Sequence, residues 1–364
     1  MPEDSDPLRQ AEARVYQRRR RRIGLAANAV ELAALAAIVG ATGTVGGIWA
    51  LVLLVAGLFL LGLPFGVAGY RLSRAYGLSR QTARGWFADR LKGAGVGLVL
   101  GAAAAAGLLG IQRAAGGWWP LPAWAAIVAF SAVLAALWPV LLLPLFLRSE
   151  PMTAGELADT LRDTAARADV HVRDLRLLRM GEKTAAANAM VAGLGPTVRI
   201  YVSDTLAETE EGEDGDGALA RTRVVLAHEL GHHVHRDMWR LMAVSAASLA
   251  AGILGAWGAV AAFAPDGTGH LTTLPAVVLG FTLASAAVSP LVAAYSRRRE
   301  RAADAYAARL AGEGETFARA MERLVARNLS ELEPPRLYHL LTSSHPTPAE
   351  RIAVARSGRR VPAG

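Results

Sequence analysis

His228, Glu229 and His232 stand in the order His-Glu-x-x-His. On a helix, two histidines four residues apart share one face. Imidazoles so placed can bind a single zinc ion, and the Glu229 carboxylate beside them can act as base for a metal-bound water. Val224-Val225-Leu226-Ala227 gives this helix an apolar approach, and Gly231 is small where a strand or substrate can come close. His235 returns to the face of His228 after seven residues and reads as a supporting or surface group; His233 points elsewhere. The metzincin pattern requires Gly at 235 and His at 238, where His and Met stand, so that subclass is excluded. The reading without chemistry is a His-rich helix with solvated imidazoles.

A catalytic zinc needs a third protein ligand and an open position for water. Cysteine is absent, which excludes thiolate ligands, disulfides and a cysteine nucleophile. The third ligand must then come from a carboxylate or another histidine. Glu300 and Asp304 share one helical face at four-residue spacing. Glu300 is the candidate ligand, and Asp304 can accept a hydrogen bond from a ligand imidazole and fix its tautomer. On spacing alone the two acids can equally balance the arginines of Arg297–Arg301 on a solvated face.

The elements that must position these groups are largely apolar. Hydrophobic residues make up 53% of the 364-residue chain and come in long blocks, the pattern of a polytopic membrane protein. Six stretches approach or exceed the roughly 20 residues needed to cross a bilayer. They are Ile23–Val45, Ile48–Tyr70, Gly93–Ile111, Ala123–Leu147, Leu241–Ala264 and Leu274–Tyr295. The expected organisation is a basic tail (1–22), a membrane domain of four spans (23–147), a block with strands and the His-Glu-x-x-His helix (148–240), two further spans (241–296), and a C-terminal part (297–364).

Net charge is +8, almost all of it from arginine; lysine occurs only at 92 and 183. The segments before span one, between spans two and three, and around the histidine motif are basic, as is everything after Arg297. Of arginine and lysine, the loops 46–47, 112–122 and 265–273 carry only Arg113. By the positive-inside rule both termini and the motif face the cytoplasm, with no nucleic-acid partner implied. The setting expected is the inner membrane of a bacterial cell, with the lipid bilayer as surroundings. Asn28 and Glu31 share a face inside span one and line an internal cavity or sit at the interface beside the arginine run.

Within 148–240, Ala154–Ala168 has helical periodicity and Val170–Leu178 is a possible strand. Ala189–Val191 and Val198–Val202 read as two strands joined by the turn signal Gly193-Leu194-Gly195-Pro196. Glu208–Gly217 is an acidic surface loop without the ladder of a calcium site. The motif helix is expected from about Ala218, running on into span five. Beyond span six, Arg297–Leu310, Glu315–Asn328 and Ala349–Arg356 are expected to be helical, with Ser344-His345-Pro346 in a loop.

Taken together, these motifs resemble the integral-membrane zinc metalloproteases that include the type I CAAX prenyl proteases (Ste24-like) and the HtpX-type proteases. The resemblance is carried by Tyr76-Gly77-Leu78-Ser79-Arg80-Gln81 followed by Trp86–Lys92, by Pro144-Leu145-Phe146, and by Asn188-Ala189-Met190 and Arg199–Leu206. The histidine motif, Glu300-x-x-x-Asp304, and Ser344-His345-Pro346 with Arg351 complete it. It implies a mainly α fold: a transmembrane helix bundle of about six spans with a small α+β, gluzincin-type zinc protease domain at the cytoplasmic face. It implies one zinc ion held by His228, His232 and Glu300, with Glu229 as general base and Asp304 behind a ligand. Asn188, Ala189 and Met190 would hold the backbone of a peptide or membrane-associated protein substrate, and His345 and Arg351 would stabilise the oxyanion. The family has seven spans where six are found here, and Met190 stands where an aromatic residue is common. Two other readings are an HtpX-like quality-control protease and a non-catalytic membrane scaffold or sensor that keeps its zinc for structure.

Overall fold

The structure is a computed structural model that describes residues 7–45, 47–193, 198–208, 215–264, 267–310 and 314–357. Among these, six helices are long and apolar enough to cross a membrane. The first is α1 (Pro7–Val45). The second is α2 (Gly47–Val52) continued through a π-helical turn into α3 (Leu58–Ala75). Helix α4 (Ala83–Ala115) is the third. The fourth is α5 (Pro120–Leu137), which a second π-helical turn joins to α6 (Leu143–Phe146). After the segment that carries the sheet and the motif helix come α10 (Asp237–Phe263) and α11 (Thr273–Leu310). A π-turn satisfies the backbone while absorbing one extra residue, which suits segments where prolines such as Pro139 remove a donor.

One expectation gains detail here and one changes. The basic tail before span one is helical from Pro7 onward: α1 runs unbroken through the arginine run into the apolar segment. Residues 8–23 contain neither Gly nor Pro and consist largely of strong helix formers, so nothing stops the helix. The motif helix does not continue into span five. It runs as α9 (Gly215–Val234) and stops, with Arg236 in the left-handed region at φ 55°, before α10 starts at Asp237.

Between α6 and α9 lie β1 (Ser149–Pro151), α7 (Glu156–Arg167), β2 (Asp174–Leu178), β3 (Ala189–Ala192), β4 (Arg199–Ser203) and α8 (Asp204–Ala207). The sheet order is β1-β2-β4-β3, with β2 and β4 parallel and the outer pairs antiparallel. β1 has three residues, too few for an alternation to show in the sequence. The turn 194–197 and most of the acidic loop (209–214) lie outside the described residues. After α11 come α12 (Gly314–Arg327), α13 (Arg336–Thr342) and α14 (Pro348–Ser357).

α9 is held on two sides. Leu226 and Leu230 pack into the sheet's core with Ala189, Leu161, Ile200 and Val202. Val224 and Ala227 pack against Phe317, Met321 and Ile352 of α12 and α14. Each large apolar side chain fully withdrawn from water contributes about 1.5–3 kcal/mol, so the motif helix has little freedom to rotate. The third side faces α11. A Cβ on Gly231 would stand 3.1 Å from Ala303 Cα, so it is helix α11, rather than a strand or substrate, that comes close there.

Further along the same pair, α10 and α11 touch backbone to backbone. A Cβ on Gly255 would fall 2.5 Å from the Gly280 carbonyl oxygen, and one on Gly280 would collide with the Gly255 carbonyl. Small residues permit such close packing where lipid provides no hydrophobic drive.

Candidate active site

The two motif histidines and Glu300 converge. His228 Nε2 lies 3.3 Å from Glu300 Oε2 and His232 Nε2 lies 3.3 Å from Glu300 Oε1. The two Nε2 atoms are 3.2 Å apart. One donor atom from each of the three residues lies within 4.8 Å of the others, and the trio can hold a metal ion.

The opposite ring nitrogens explain this orientation. His228 Nδ1 is 2.9 Å from Asp304 Oδ1, and His232 Nδ1 is 2.9 Å from Asp237 Oδ2. A carboxylate accepts, so each Nδ1 carries a proton, and once the cluster gives up its remaining protons to a metal each Nε2 can turn a lone pair to the centre. This arrangement of carboxylate, histidine and ligand-facing nitrogen fixes ring orientation in metal sites. Glu300 Oε2 is buried with only the His228 Nε2 contact at 3.3 Å and no well-formed hydrogen bond, a setting that a cation satisfies. By donor chemistry, two imidazoles and a carboxylate suit zinc.

Asp304 stands where the spacing placed it. Asp237 was missed. In a continuous helix it would lie five residues past His232, roughly 140° around the axis; the left-handed Arg236 brings it back. The one signal was an acid at the mouth of an apolar span, which demands a partner. Both acids are neutralised from behind. Arg351 donates from Nε and Nη2 to Asp304, at 2.8 and 2.5 Å, and Arg299 donates from Nε to Asp237 at 2.6 Å. Two of the arginines after span six are therefore turned inward, while Arg298 stays exposed. Arg297 and Arg299 are buried, and Arg297 donates to the Ser343 carbonyl at 2.6 Å, anchoring the loop that carries His345.

Arg351 lines the cavity, but two of its nitrogens are committed to Asp304, with Nη2 also 3.4 Å from His228 Nδ1. Its planar fork reads as support for the histidine shell rather than as a free oxyanion donor. His345 is more than half exposed, with Nε2 3.5 Å from Glu300 Oε1 and Nδ1 2.8 Å from Ser344 Oγ. His235 is apart from the cluster; its ring meets Tyr306 edge-on at 5.7 Å.

Electrostatics follow from burial and these partners. Burial lowers the His232 pKa, but hydrogen bonds to Asp237 and Glu300 outweigh it and raise it to about 10. His228 is likewise raised against burial, by Asp304 and Glu300. The cluster has a high affinity for positive charge, and a metal entering it must displace protons. Burial pushes the Glu229 carboxyl up, with the Glu300 charge adding to it and the neighbouring imidazoles opposing it. A raised carboxyl suits a group that must take up a proton near neutral pH.

Glu229 faces a cavity of about 300 Å³ that Asn188, His228, Asn328, His345 and Arg351 also line, with Phe317 and Met321 giving it an apolar wall. Asn188 immediately precedes β3, the strand at the sheet edge. Ser203 N–H donates to the Asn188 carbonyl, so residues 188, 190 and 192 turn their main-chain groups toward β4. Those of Ala189 and Val191 then face the open edge. Their side chains are not free: Ala189 is buried against α9, and Met190 packs on the cluster of Leu143, Leu178 and Tyr201.

Comparison with known proteins is consistent with this geometry. Residues 151–358 match the model of peptidase family M48, and residues 23–148 match that of the CAAX prenyl protease N-terminal domain, described as five membrane helices. Among the described residues, four helices in that region are long and apolar enough to cross a membrane, one fewer. The chain is 29% identical over 317 residues to an uncharacterized metalloprotease, YhfN, of Bacillus subtilis, covering 83% of this chain and 71% of that one. It is 27% identical over 311 residues to a CAAX prenyl protease 1 homolog of Arabidopsis thaliana, covering 80% and 68%. Its fold matches the crystal structure of S. mikatae Ste24p with a TM-score of 0.81 at 20% identity, over 97% of this chain and 90% of that one. The chain belongs to peptidase family M48, as an integral-membrane metalloprotease of the CAAX-prenyl-protease type.

Proposed function

We propose that this protein is a zinc endopeptidase whose single ion is held by His228, His232 and Glu300 at the cytoplasmic face of a bacterial inner membrane. The observation that carries the reading is the convergence of three donor atoms whose histidines are each backed by a buried carboxylate. A zinc ion in that position supplies a Lewis acid that activates water and polarises the scissile carbonyl. Glu229 takes the proton from the attacking water and returns it to the leaving amine. Asp237 and Asp304 keep the imidazole lone pairs aimed inward, and Arg299 and Arg351 keep those carboxylates ionised. The peptide lies extended along β3, hydrogen-bonded to the main chain of Ala189 and Val191, with the Asn188 side chain steadying it. His345, the exposed imidazole nearest the cluster, donates to the oxyanion.

Glu229→Gln removes the base and keeps the ligands. The purified variant is expected to retain its metal, read by elemental analysis, while cleavage falls by about 10²–10⁴-fold; wild-type turnover by the variant would overturn the mechanism. Substrate class is tested by offering a farnesylated peptide and an unfolded membrane protein to the same preparation. Preference for the first supports a prenyl-protein substrate, and preference for the second supports a quality-control protease.

A further inference from the structure

The segment of α1 that precedes the apolar stretch has a buried face that the activity described so far does not use. Gln10, Ala13 and Tyr16 are buried, and they face the turn that follows α12. That turn is bound by α1 at nearly every residue. Arg9 Nε donates to the Ala326 carbonyl at 3.2 Å, Gln17 Nε2 to that of Leu329 at 2.7 Å, and Gln10 Nε2 to that of Ser330 at 3.4 Å. Gln10 Oε1 accepts from Leu332 N–H at 3.2 Å, and Arg21 grips Glu331 with two bonds of 2.6 and 3.0 Å. Carbonyls at a helix C-terminus have no partners within the helix, so α1 supplies what the end of α12 lacks.

The turn is also strained. Leu329 is a non-glycine residue at φ 46°, fully buried among Ala13, Tyr16, Leu72, Tyr76 and Leu78. Such a conformation persists only where its surroundings over-determine it, and here α1 provides much of those surroundings.

The turn reaches the active site in one step. Asn328 Oδ1 accepts from Ala187 N–H at 3.1 Å, Arg327 Nε donates to the Ala185 carbonyl at 2.9 Å, and Asn328 and Ser330 both line the cavity. Ala187 immediately precedes Asn188. The same segment is held from its other side by the loop between spans two and three. Ala185 N–H donates to the Leu78 carbonyl at 3.0 Å, Arg80 N–H donates to the Lys183 carbonyl at 2.9 Å, and Lys183 pairs with Asp89.

We infer that residues Pro7–Arg22 of α1 are a positioning element of the peptidase: Gln10, Gln17 and Arg21 seat the turn 328–332, and through Asn328 that turn sets where the Asn188 strand meets its substrate. Gln10, Gln17, Arg21, Glu331 and Asn328 are positioning residues, since none of the first four touches the ligand cluster. The inference rests on the reading of β3 as the substrate strand. Its signature is in substrate binding rather than in metal or proton transfer, because the histidine cluster is fixed separately by Asp237 and Asp304.

The test uses the full-length, metal-loaded protein and whichever of the two substrates above it cleaves. Arg21→Glu and Glu331→Arg are each expected to raise KM about tenfold, with kcat within about twofold of wild type and metal content unchanged. The double variant R21E/E331R restores the pair with its charges exchanged and should recover most of the loss. Asn328→Ala should show the same KM-weighted defect, and Asn328→Asp, which keeps an oxygen for Ala187 N–H, should correct it. Single variants with wild-type KM, or a loss carried by kcat or metal that the exchange fails to rescue, overturn the inference. If charge exchange prevents folding, the Asn328 pair decides alone. Val191→Pro separates the two readings: an unchanged KM there removes the substrate strand itself, whereas a raised KM there beside silent α1 variants removes only the brace.

Discussion

Around His228 and His232, position is set by buried carboxylates paired to Arg351 and Arg299. Along residues 183–188 it is set by hydrogen bonds to three separate parts of the chain: the loop at 78–80, the end of α12, and the Ser203–Thr205 corner. The difference is one of chemistry as well as distance. A charge removed from water demands its counter-charge, so the ligand shell is locked by a few strong contacts whose loss is costly. The strand entry is locked by many weak ones, and each can be lost at small cost. Under the proposed function, the first arrangement suits a centre that must not move between turnovers, and the second suits an edge that accepts different peptides.

The contrast orders the expected effects of substitution. Glu300→Gln should be the most damaging, because it removes a proposed ligand and the negative charge that would draw the metal in. Purified protein should lose its zinc, and cleavage should fall more than about 10³-fold. Asp237→Asn and Asp304→Asn leave the ligands and weaken their support, and each should lower zinc affinity about 10–100-fold in a chelator competition. Each also strands an arginine, Arg299 buried and Arg351 largely withdrawn from water, so thermal stability should fall with it. If either Asn variant binds zinc like wild type, the ligand shell is not held as argued. Val191→Pro should act on the other region alone. It removes one outward N–H from an edge strand, a position where proline is tolerated, so KM should rise several-fold while zinc content and kcat stay near wild type. His235→Ala should do least. Its ring packs on Tyr306 outside both regions, and zinc content and kcat/KM within about twofold of wild type are expected.

How far the sequence revealed this arrangement depends on how local each feature is. His228, His232 and Glu229 share a helical period, as do Glu300 and Asp304, so simple spacing exposed them. Length and hydropathy exposed the six spans, and an antiparallel pair of spans five and six was enough to bring Glu300 back to the histidines. Asp237 was illegible because it depends on a left-handed residue at Arg236, where neither Gly nor Pro marks a break. The buried faces of Arg297 and Arg299 were hidden because arginine near a membrane reads as solvated. The pairing of Arg351 with Asp304 was hidden for a similar reason: sequence shows a cation near the site, and only the fold shows which carboxylate takes its donors. The seating of α1 on the turn after α12 joins residues more than 300 positions apart, with no periodicity to announce it.

The contact of Gly255 with Gly280 has a reach beyond the bilayer. Glu300 lies twenty residues along α11 from Gly280, roughly 30 Å at 1.5 Å per residue. With the crossing point as fulcrum, a tilt of about 5° at the glycines would swing the carboxylate by roughly 2.6 Å, well past the roughly 0.5 Å within which a catalytic constellation must be held. The helix thus joins the crossing in lipid to the ligand cluster, with Pro290 as the one break in its hydrogen-bond ladder between them. Bilayer thickness or a bound lipid that altered the angle of this pair would therefore reach the peptidase as a mechanical input.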